Sequence, residues 1–370
     1  MKLKYFILIA VFLIIVQVKA QENYRKDWSA GKLTWNDFTE NTNENTYSSE
    51  LKYFLGYEPD KQKFDGVKVA RFATFGYIDK TLSWVKPEFK TEQLLKYNQV
   101  LFDIVELHRR ILQYELDRLD SQYGALDKFN YIYQVCSNQI LQFQNESQRG
   151  QLIDVINVWE FKIAEKMKSY PYYNIPEFTK LPFGYSLHAG IGGGVFTGSL
   201  GEHFSPTFNF MFGFEVAYGN SILFLNGTLA GDNVVKDYSG NENWYKNQSA
   251  FVAIIDVSYG YAIIDNKNIK LSPFAGLGIT ELTGSSQDNE DESLRLVDYN
   301  YLVGLNFDYK IAKKINLISS AFTGVKEQVE TSIQVKLYVS KANFYDNLNG
   351  HSINLTIGLS GFGNFIKLNN

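Results

Sequence analysis

The second half of the chain, from about Phe183 onward, is a series of runs in which every second residue is apolar. Because successive side chains of a β-strand point to opposite faces, each run predicts a strand with one apolar and one polar face. The clearest run alternates its apolar members with small or polar residues; these members are Phe208, Phe210, Phe212, Phe214, Val216 and Tyr218. A chain patterned in this way is restricted to antiparallel β architectures.

A second run places aromatic residues at both of its ends. One face of this run carries Val297, Tyr299, Tyr301, Val303, Leu305, Phe307 and Tyr309, and the other carries Asp298, Asn300, Gly304, Asn306, Asp308 and Lys310. Aromatic residues at both strand ends are typical of the girdles that lie at the two interfaces of a membrane. The sequence therefore predicts an antiparallel transmembrane β-barrel over residues 183–370, in the outer membrane of a Gram-negative cell.

Nine alternating runs can be counted, and the last four begin at Val297, Ile315, Ile333 and Ile353. Bacterial single-chain barrels have even strand numbers, so eight to ten strands are expected. The connections at 219–220, 265–268 and 311–314 are tight, whereas those at 231–247, 283–296 and 324–331 are long. Short turns face the periplasm in such barrels, so the first strand and the domain before it are expected to begin there. The lumen of so narrow a barrel is filled by side chains, which disfavours a pore for large solutes.

The chain starts with a secretory pattern. Residues 1–20 contain Lys2 and Lys4, an apolar stretch, and Val18-Lys19-Ala20 before Gln21, which predicts a cleaved signal peptide. Residues 21–170 are expected to form a helical domain, and a linker stiffened by prolines is expected at 171–182. No other segment approaches the roughly 20 apolar residues of a membrane-spanning helix. The predicted fold is an α+β multidomain protein.

Helical spacing is clearest between residues 91 and 122. Thr91 can cap the start of this helix, and further helices are expected near 131–143 and 152–168. Cys136 is the single cysteine, so an internal disulfide is excluded and a small buried residue is expected. The net charge is −4 without a basic stripe, which argues against nucleic acid as a partner.

Several short motifs in this region occur in one order. The segment Leu94–Ile104 reads LLKYNQVLFDI and resembles the LL-x-HEQ-x-HFDI segment of a secreted bacterial zincin-like family of uncharacterised proteases. The LTWNDF at 33–38, the SWV at 83–85 and the FQNESQRG at 143–150 are similar to further motifs of this family, the last to YD-x-ET-x-HG. The resemblance covers about residues 30–168 and implies a zincin-like fold.

The chemistry that this family uses is missing. A zincin needs two histidines at i and i+4 for zinc, a glutamate as general base beside the first, and a third ligand. The matching positions are Tyr97 and Leu101, Asn98, and Arg149. Leucine has no lone pair, asparagine cannot take up a proton, and arginine would repel the metal. The resemblance therefore implies a pseudoenzyme with no zinc and no cofactor.

The frame around these positions is retained. Gln99, Phe102, Asp103, Glu106 and Glu146 occupy the family's scaffold positions, and packing of the fold is the favoured interpretation. If Asp103, Glu106 and Glu146 converged, they could hold a hard cation.

Two other groups have a simple interpretation. His108 has no partner at metal-site spacing and is expected to be a residue of the helix face. The acidic loop with Asp288, Glu290, Asp291 and Glu292 is expected to be solvated, with calcium or lipopolysaccharide bridging as the alternative.

The leading hypothesis is a non-catalytic outer-membrane β-barrel that carries a periplasmic pseudo-metalloprotease domain with a binding or scaffolding role. Its expected partners are outer-membrane lipid and a periplasmic peptide or protein.

Two alternatives remain open. Ser186 and His188 share one face of a strand and could supply nucleophile and base for a lipid hydrolase. Loops 231–247 and 283–296 could mediate surface adhesion, with Trp244 and Tyr245 as exposed anchors or as part of the upper girdle.

Overall fold

The structure is a computed structural model that describes residues 24–41, 47–172, 175–240, 243–285, 293–319 and 324–369. The expected signal peptide and the acidic loop at 288–292 lie outside the described residues. The chain forms two compact units. The first comprises Met1–Gln62, Ala70–Pro176 and Leu317–Gly324, and the second comprises Lys63–Val69, Glu177–Asn316 and Val325–Asn370.

The described part of the first unit opens with strands rather than helices. Strand β1 (Arg25–Asp27) pairs antiparallel with β3 (Val67–Asp79), and β3 also pairs with β2 (Tyr53–Phe64). Asp65 and Gly66 join β2 to β3 with positive φ angles of 47° and 84°. Two-residue strands at Thr39–Glu40, Ser49–Glu50 and Trp84–Val85 form a separate small sheet. The domain expected to be helical therefore also contains strands, which the sequence did not predict because the largely charged stretch 58–65 obscures the alternation of the hairpin.

Three helices follow and carry the core of the first unit. They are α1 (Glu92–Arg118), α2 (Ala125–Glu146) and α3 (Ile153–Ser169), close to the predicted positions. Thr91 caps α1 as expected, since its hydroxyl accepts from the Leu94 N–H at 3.2 Å. Cys136 is buried, and burial raises the pKa of its thiol to about 12. Within the described chain, none of the helices is both long and apolar enough to cross a bilayer.

The second unit contains eight long strands that form a closed antiparallel barrel. They are β4 (Phe178–Phe196), β5 (Thr207–Tyr218), β6 (Ser221–Asn233), β7 (Ser249–Tyr261), β8 (Ile269–Ser285), β9 (Ser293–Asn316), β10 (Glu327–Tyr345) and β11 (Leu348–Leu368). Each strand pairs with the next, and β11 returns to β4 with Gly358 opposite Gly190. The strand β4 starts at Phe178, within the stretch predicted as linker.

The predicted run that begins at Ile315 does not form a strand of its own. A β-bulge between Lys310 and Ala312 inserts Ile311 into β9, and the strand continues to Asn316. An inserted residue reverses which face each later side chain occupies. Leu305 is accordingly 40% exposed, whereas Ile315 is 2% exposed. The predicted turn at 311–314 and the described part of the predicted strand at 315–321 are therefore wrong.

The connections fall into two groups at opposite ends of the barrel. One end, here called the turn end, carries the connections 219–220, 262–268 and 317–326. The other, here called the loop end, carries 197–206, 234–248, 286–292 and 346–347, and its first connection contains the short helix α4 (Gly198–His203). The predicted long outer loop at 324–331 is wrong, since β10 already begins at Glu327 and lies beyond a turn-end connection. Polar residues such as Gln328 and Glu330 face the lumen there and resemble loop residues in sequence.

The first unit contains one ion pair that is almost wholly buried. Arg71 and Asp117 join β3 to α1, and their side chains are 3% and 1% exposed. Gln113 also donates to Asp117 Oδ1 at 3.2 Å. Removing one partner of a buried pair leaves the other charge in a medium that solvates it poorly.

We expect Asp117→Asn to destabilise the first unit by about 3 kcal/mol or more, for the reason just given. The matched control is Glu160→Gln, because the Lys96–Glu160 pair is 35% and 46% exposed and should contribute about 0.5 kcal/mol or less. Urea unfolding followed by tryptophan fluorescence measures this, as four of the five tryptophans lie in the first unit. Equal effects of the two substitutions would contradict the assigned role of the pair.

Candidate functional site

The four positions at which the resemblance would place a metal site line one cleft of the first unit. Tyr97, Asn98 and Leu101 are neighbours on α1, because residues three or four apart in a helix share a face. Arg149, which follows α2, faces the same cleft, whose volume is ≈ 360 Å³. The structure therefore brings together all four residues that the resemblance selected. Tyr47, Ser49 and Lys52 also line this cleft; they come from a distant segment, so no local sequence pattern marks them.

A strained segment presents Arg149 to the cleft. Gln148, Arg149 and Gly150 have φ angles of 49°, 52° and 93°, a left-handed conformation that non-glycine residues rarely adopt. Glycine is required at 150, since a Cβ there would lie 3.0 Å from the Tyr97 ring. The Arg149 guanidinium lies 3.6 Å from the centre of the Tyr47 ring. Backbone strain of this kind tends to concentrate at functional positions.

The four positions that the resemblance selects offer neither a metal ligand set nor a base; the cleft's one lining carboxylate among the described residues, Glu50, accepts from Trp84 Nε1 at 3.2 Å. Tyr97 stacks on Phe143, and burial raises its pKa to about 12, although the nearby Arg149 charge opposes this shift. Asn98 is fully buried and donates to Ser49 Oγ and to Leu94 O. Its Oδ1 has no hydrogen-bond partner among the described residues. A neutral phenol, an amide, a leucine and a guanidinium do not fit zinc.

The scaffold carboxylates do not converge. Asp103 accepts from Trp28 Nε1 at 2.7 Å, Glu106 accepts from Arg109 and Arg110, and Glu146 accepts from Trp159 Nε1 at 2.7 Å. Across the described parts of the chain, no group of three or more His, Cys, Asp or Glu residues could hold a metal ion. The alternative of a hard cation held by these three carboxylates is therefore wrong, and each one binds neighbouring side chains instead.

The two other frame residues and His108 also belong to the interior of the first unit. Gln99 Nε2 donates to Asp103 at 2.8 Å, and Phe102 is fully buried. His108 is 2% exposed, with Nδ1 2.9 Å from Ile104 O, and burial lowers its pKa. This histidine is therefore neutral at pH 7 and lies in the interior, not on an open helix face.

The barrel does not pair Ser186 with His188. Both side chains face the lumen, where Ser186 Oγ lies 3.5 Å from Leu187 O and His188 Nε2 lies 3.1 Å from Asn226 Oδ1. His188 Nδ1 is 3.5 Å from Glu215 Oε1. No hydrogen bond joins the serine to the histidine in the described structure, so the arrangement lacks the contact by which a base activates a hydroxyl.

Polar side chains fill the middle of the lumen. Lys336 Nζ donates to Asn226 Oδ1 at 2.8 Å, and Gln334 Nε2 donates to Glu215 Oε1 at 3.1 Å. Lys270 lies 3.6 Å from the same glutamate. Because these groups are buried and joined to one another, they occupy the space that an open channel would need.

An apolar cluster fills the lumen near the loop end. Trp244 is fully buried and packs edge-on against Phe204 with ring centres 5.5 Å apart. Inward-facing residues such as Val252 and Leu296 belong to the same cluster. The expectation that Trp244 is an exposed anchor or a girdle residue is wrong, since the short hairpin of Tyr238–Ser239 and Asn243–Trp244 turns it inward. Tyr245 is half-buried.

A metal-restoring variant tests the convergence of the cleft. We expect the wild-type protein to bind no zinc and Tyr97→His/Leu101→His/Arg149→His to gain a site, because three imidazoles would then face one cleft. Histidine tolerates the left-handed backbone at 149 better than most residues. Zinc content after dialysis is the measurement, and Tyr97→His/Leu101→His is the control. On the order of tenfold tighter binding by the triple variant is expected; equal binding by both variants would show that position 149 lies away from the other two.

Comparison with known proteins gives similarity of structure only. No family model matches the sequence, and no curated protein matches it. Neisserial surface protein A shares 13% identity with a TM-score of 0.33, over 49% of this chain and 97% of that one. Ail of Yersinia pestis, in complex with the heparin analogue sucrose octasulfate, shares 11% identity with a TM-score of 0.27, over 50% and 100%.

A third solved structure gives the same picture. OprG from Pseudomonas aeruginosa shares 11% identity with a TM-score of 0.27, over 51% of this chain and 98% of that one. The C-terminal half of this chain thus resembles small Gram-negative outer-membrane β-barrels in general form. Likeness at this level says nothing about activity or ligand.

Proposed function

We propose that this protein is a non-catalytic binding module anchored in the outer membrane by its barrel, with the first unit in the periplasm. The observation that carries the proposal is the exterior of the barrel. Every strand has an apolar residue near its middle that points outward and is 40% to 72% exposed. These residues are Leu187, Phe212, Leu225, Ile255, Leu277, Leu305, Leu337 and Leu355.

This exterior fits lipid better than water. A soluble barrel keeps most of its outer wall polar, whereas here charged groups such as Glu215, Asp308 and Lys336 are buried in the lumen and the outer wall carries large exposed apolar side chains. A continuous exposed apolar band on a protein in water would be a site of association. A closed barrel also pairs the backbone N–H and C=O groups of each strand with those of its neighbours. A bilayer requires this, because its core holds no water to bond them.

The connections support the orientation. The longest connection, 234–248, lies at the loop end and the two-residue turn 219–220 at the turn end, and in outer-membrane barrels long loops face outward while short turns face the periplasm. The strand β4 starts at this end, because the Gly219 N–H donates to Pro182 O. The segment that precedes β4 is then periplasmic, and so is the first unit.

The cleft supports binding rather than catalysis. It lies at the four positions that the resemblance assigns to an active site, and a guanidinium stands where the resemblance places the third metal ligand. A guanidinium attracts electron-rich oxygens and cannot activate water. Arg149 and Lys52 outnumber the cleft's carboxylate, Glu50, which leaves one net positive charge among its lining residues. We infer that a peptide with a free carboxylate fits this cleft.

The membrane anchor is tested by two substitutions at equally exposed apolar residues. Leu277→Arg at the centre of β8 should cost about 2–4 kcal/mol for folding into vesicles, because it places a charge in lipid. Leu277 is 72% exposed, and the control Phe161, on α3 of the first unit, is 69% exposed. Phe161→Arg should change the stability by about 0.5 kcal/mol or less. If both substitutions had the same small effect, the exterior of the barrel would be in water.

The binding role is tested with trialanine and trialanine amide. We expect trialanine to slow amide hydrogen exchange at residues 147–150, and the amide to have no effect, because only the free carboxylate can pair with Arg149. Arg149→Gln should weaken binding roughly tenfold or more. The control Lys162→Gln removes a lysine that lies over Trp159, away from the cleft. Equal protection by both peptides, or none by either, would contradict a carboxylate site.

A further inference from the structure

A second pocket lies at the turn end of the barrel and belongs to the second unit alone. Its volume is ≈ 570 Å³, and its lining includes Lys180, Lys267, Lys310, Lys313, Asp265 and Glu330. Four of these six side chains are cationic. The cleft of the first unit does not account for this pocket, which shares no residue with it.

The β-bulge of strand β9 builds this pocket. In a regular strand, Lys310 and Lys313 would point to opposite faces, because they are three residues apart. The register passes from the Lys310–Ser332 pair to the Ala312–Thr331 pair, which leaves Ile311 as the extra residue. Lys313 then lies opposite Glu330, on the same face as Lys310. Bulges at barrel rims commonly redirect a side chain in this way.

The negative charge of the pocket's two carboxylates does not neutralise the positive charge of its four lysines. Lys310 Nζ lies 2.6 Å from Asp265 and 2.8 Å from Glu330, and Lys180 Nζ lies 3.2 Å from Glu330. The side chains of Lys310 and Glu330 are only 10% and 11% exposed, so this part is fixed. Within the described residues, neither Lys267 nor Lys313 forms an ion pair. The pocket therefore has two lysines in excess over its two carboxylates, around a rigid base.

We propose that this pocket binds a phosphate group, and that the group belongs to an anionic phospholipid of the leaflet at the turn end. The bulged residue Ile311 is 50% exposed and lines the same pocket. An acyl chain can therefore run along the outer wall beside Ile311 while its headgroup turns over the rim to Lys313 and Lys267. This inference rests on the proposed membrane anchor, since a barrel in water would meet no such lipid.

The test uses the full-length protein in nanodiscs and native mass spectrometry of bound lipid. Wild-type protein should retain phosphatidylglycerol in preference to phosphatidylcholine. Each lysine near an anionic surface contributes about 1 kcal/mol, so Lys267→Gln/Lys313→Gln should weaken phosphatidylglycerol retention on the order of tenfold or more. The matched control is Lys236→Gln, which removes a lysine near the loop end that is paired with Glu202 at 3.5 Å.

The possible outcomes distinguish a failure of the proposed lipid site from a failure of the proposed membrane anchor. Equal retention of the two lipids, or a preference that persists in Lys267→Gln/Lys313→Gln, overturns the pocket while the protein remains in the nanodisc. Displacement of phosphatidylglycerol by millimolar inorganic phosphate would show that the site takes a free anion and would overturn the lipid assignment. Failure of the wild-type protein to enter nanodiscs would overturn both the anchor and the pocket.

Discussion

The closed hydrogen-bonded cylinder of β4 to β11 is the constraint on which the rest of the second unit depends. Closure gives each strand two neighbours, so every side chain of a strand faces either outward or into the lumen. The outward positions are mostly apolar, whereas the inward positions hold the polar groups in the middle of the lumen and the apolar cluster near the loop end. One inserted residue, Ile311, is enough to reverse this assignment, and it places Lys313 on the same face as Lys310.

The lumen shows what a narrow cylinder requires of its inward side chains. Buried charges lose their hydration, so each one needs partners within reach. Glu215, Lys270, Gln334 and Lys336 belong to a network of such contacts, and the apolar cluster around Trp244 fills the loop end. Backbone crowding adds to the constraint, since a Cβ at Gly192 would lie 2.0 Å from Leu355 O. These features favour an anchor with a filled interior over a conduit.

The carboxylates of the first unit illustrate how acidic side chains can serve the fold alone. Asp103, Glu106 and Glu146 each accept hydrogen bonds from neighbouring side chains and hold them in place. Arg149 lies in a left-handed segment that is costly for a non-glycine residue, and it lines the same cleft as Tyr97. This strained cation in the cleft is the basis of the proposed carboxylate site.

The sequence by itself determined the alternation of the barrel strands, the three helices and the unsuitability of Tyr97, Leu101 and Arg149 as zinc ligands, because strand and helix periodicity and side-chain chemistry are local properties. The tertiary structure decided the strand number, the inward position of Trp244 and the convergence of Tyr97 with Arg149. It also decided the basic pocket at the turn end. In the sequence, the bulge in β9 looks like a turn, and the residues after it look like the start of a further strand. Only the pairing of β9 with β10 shows that β9 continues through the bulge. Contacts between residues far apart in the chain depend on register and closure, which no local pattern encodes.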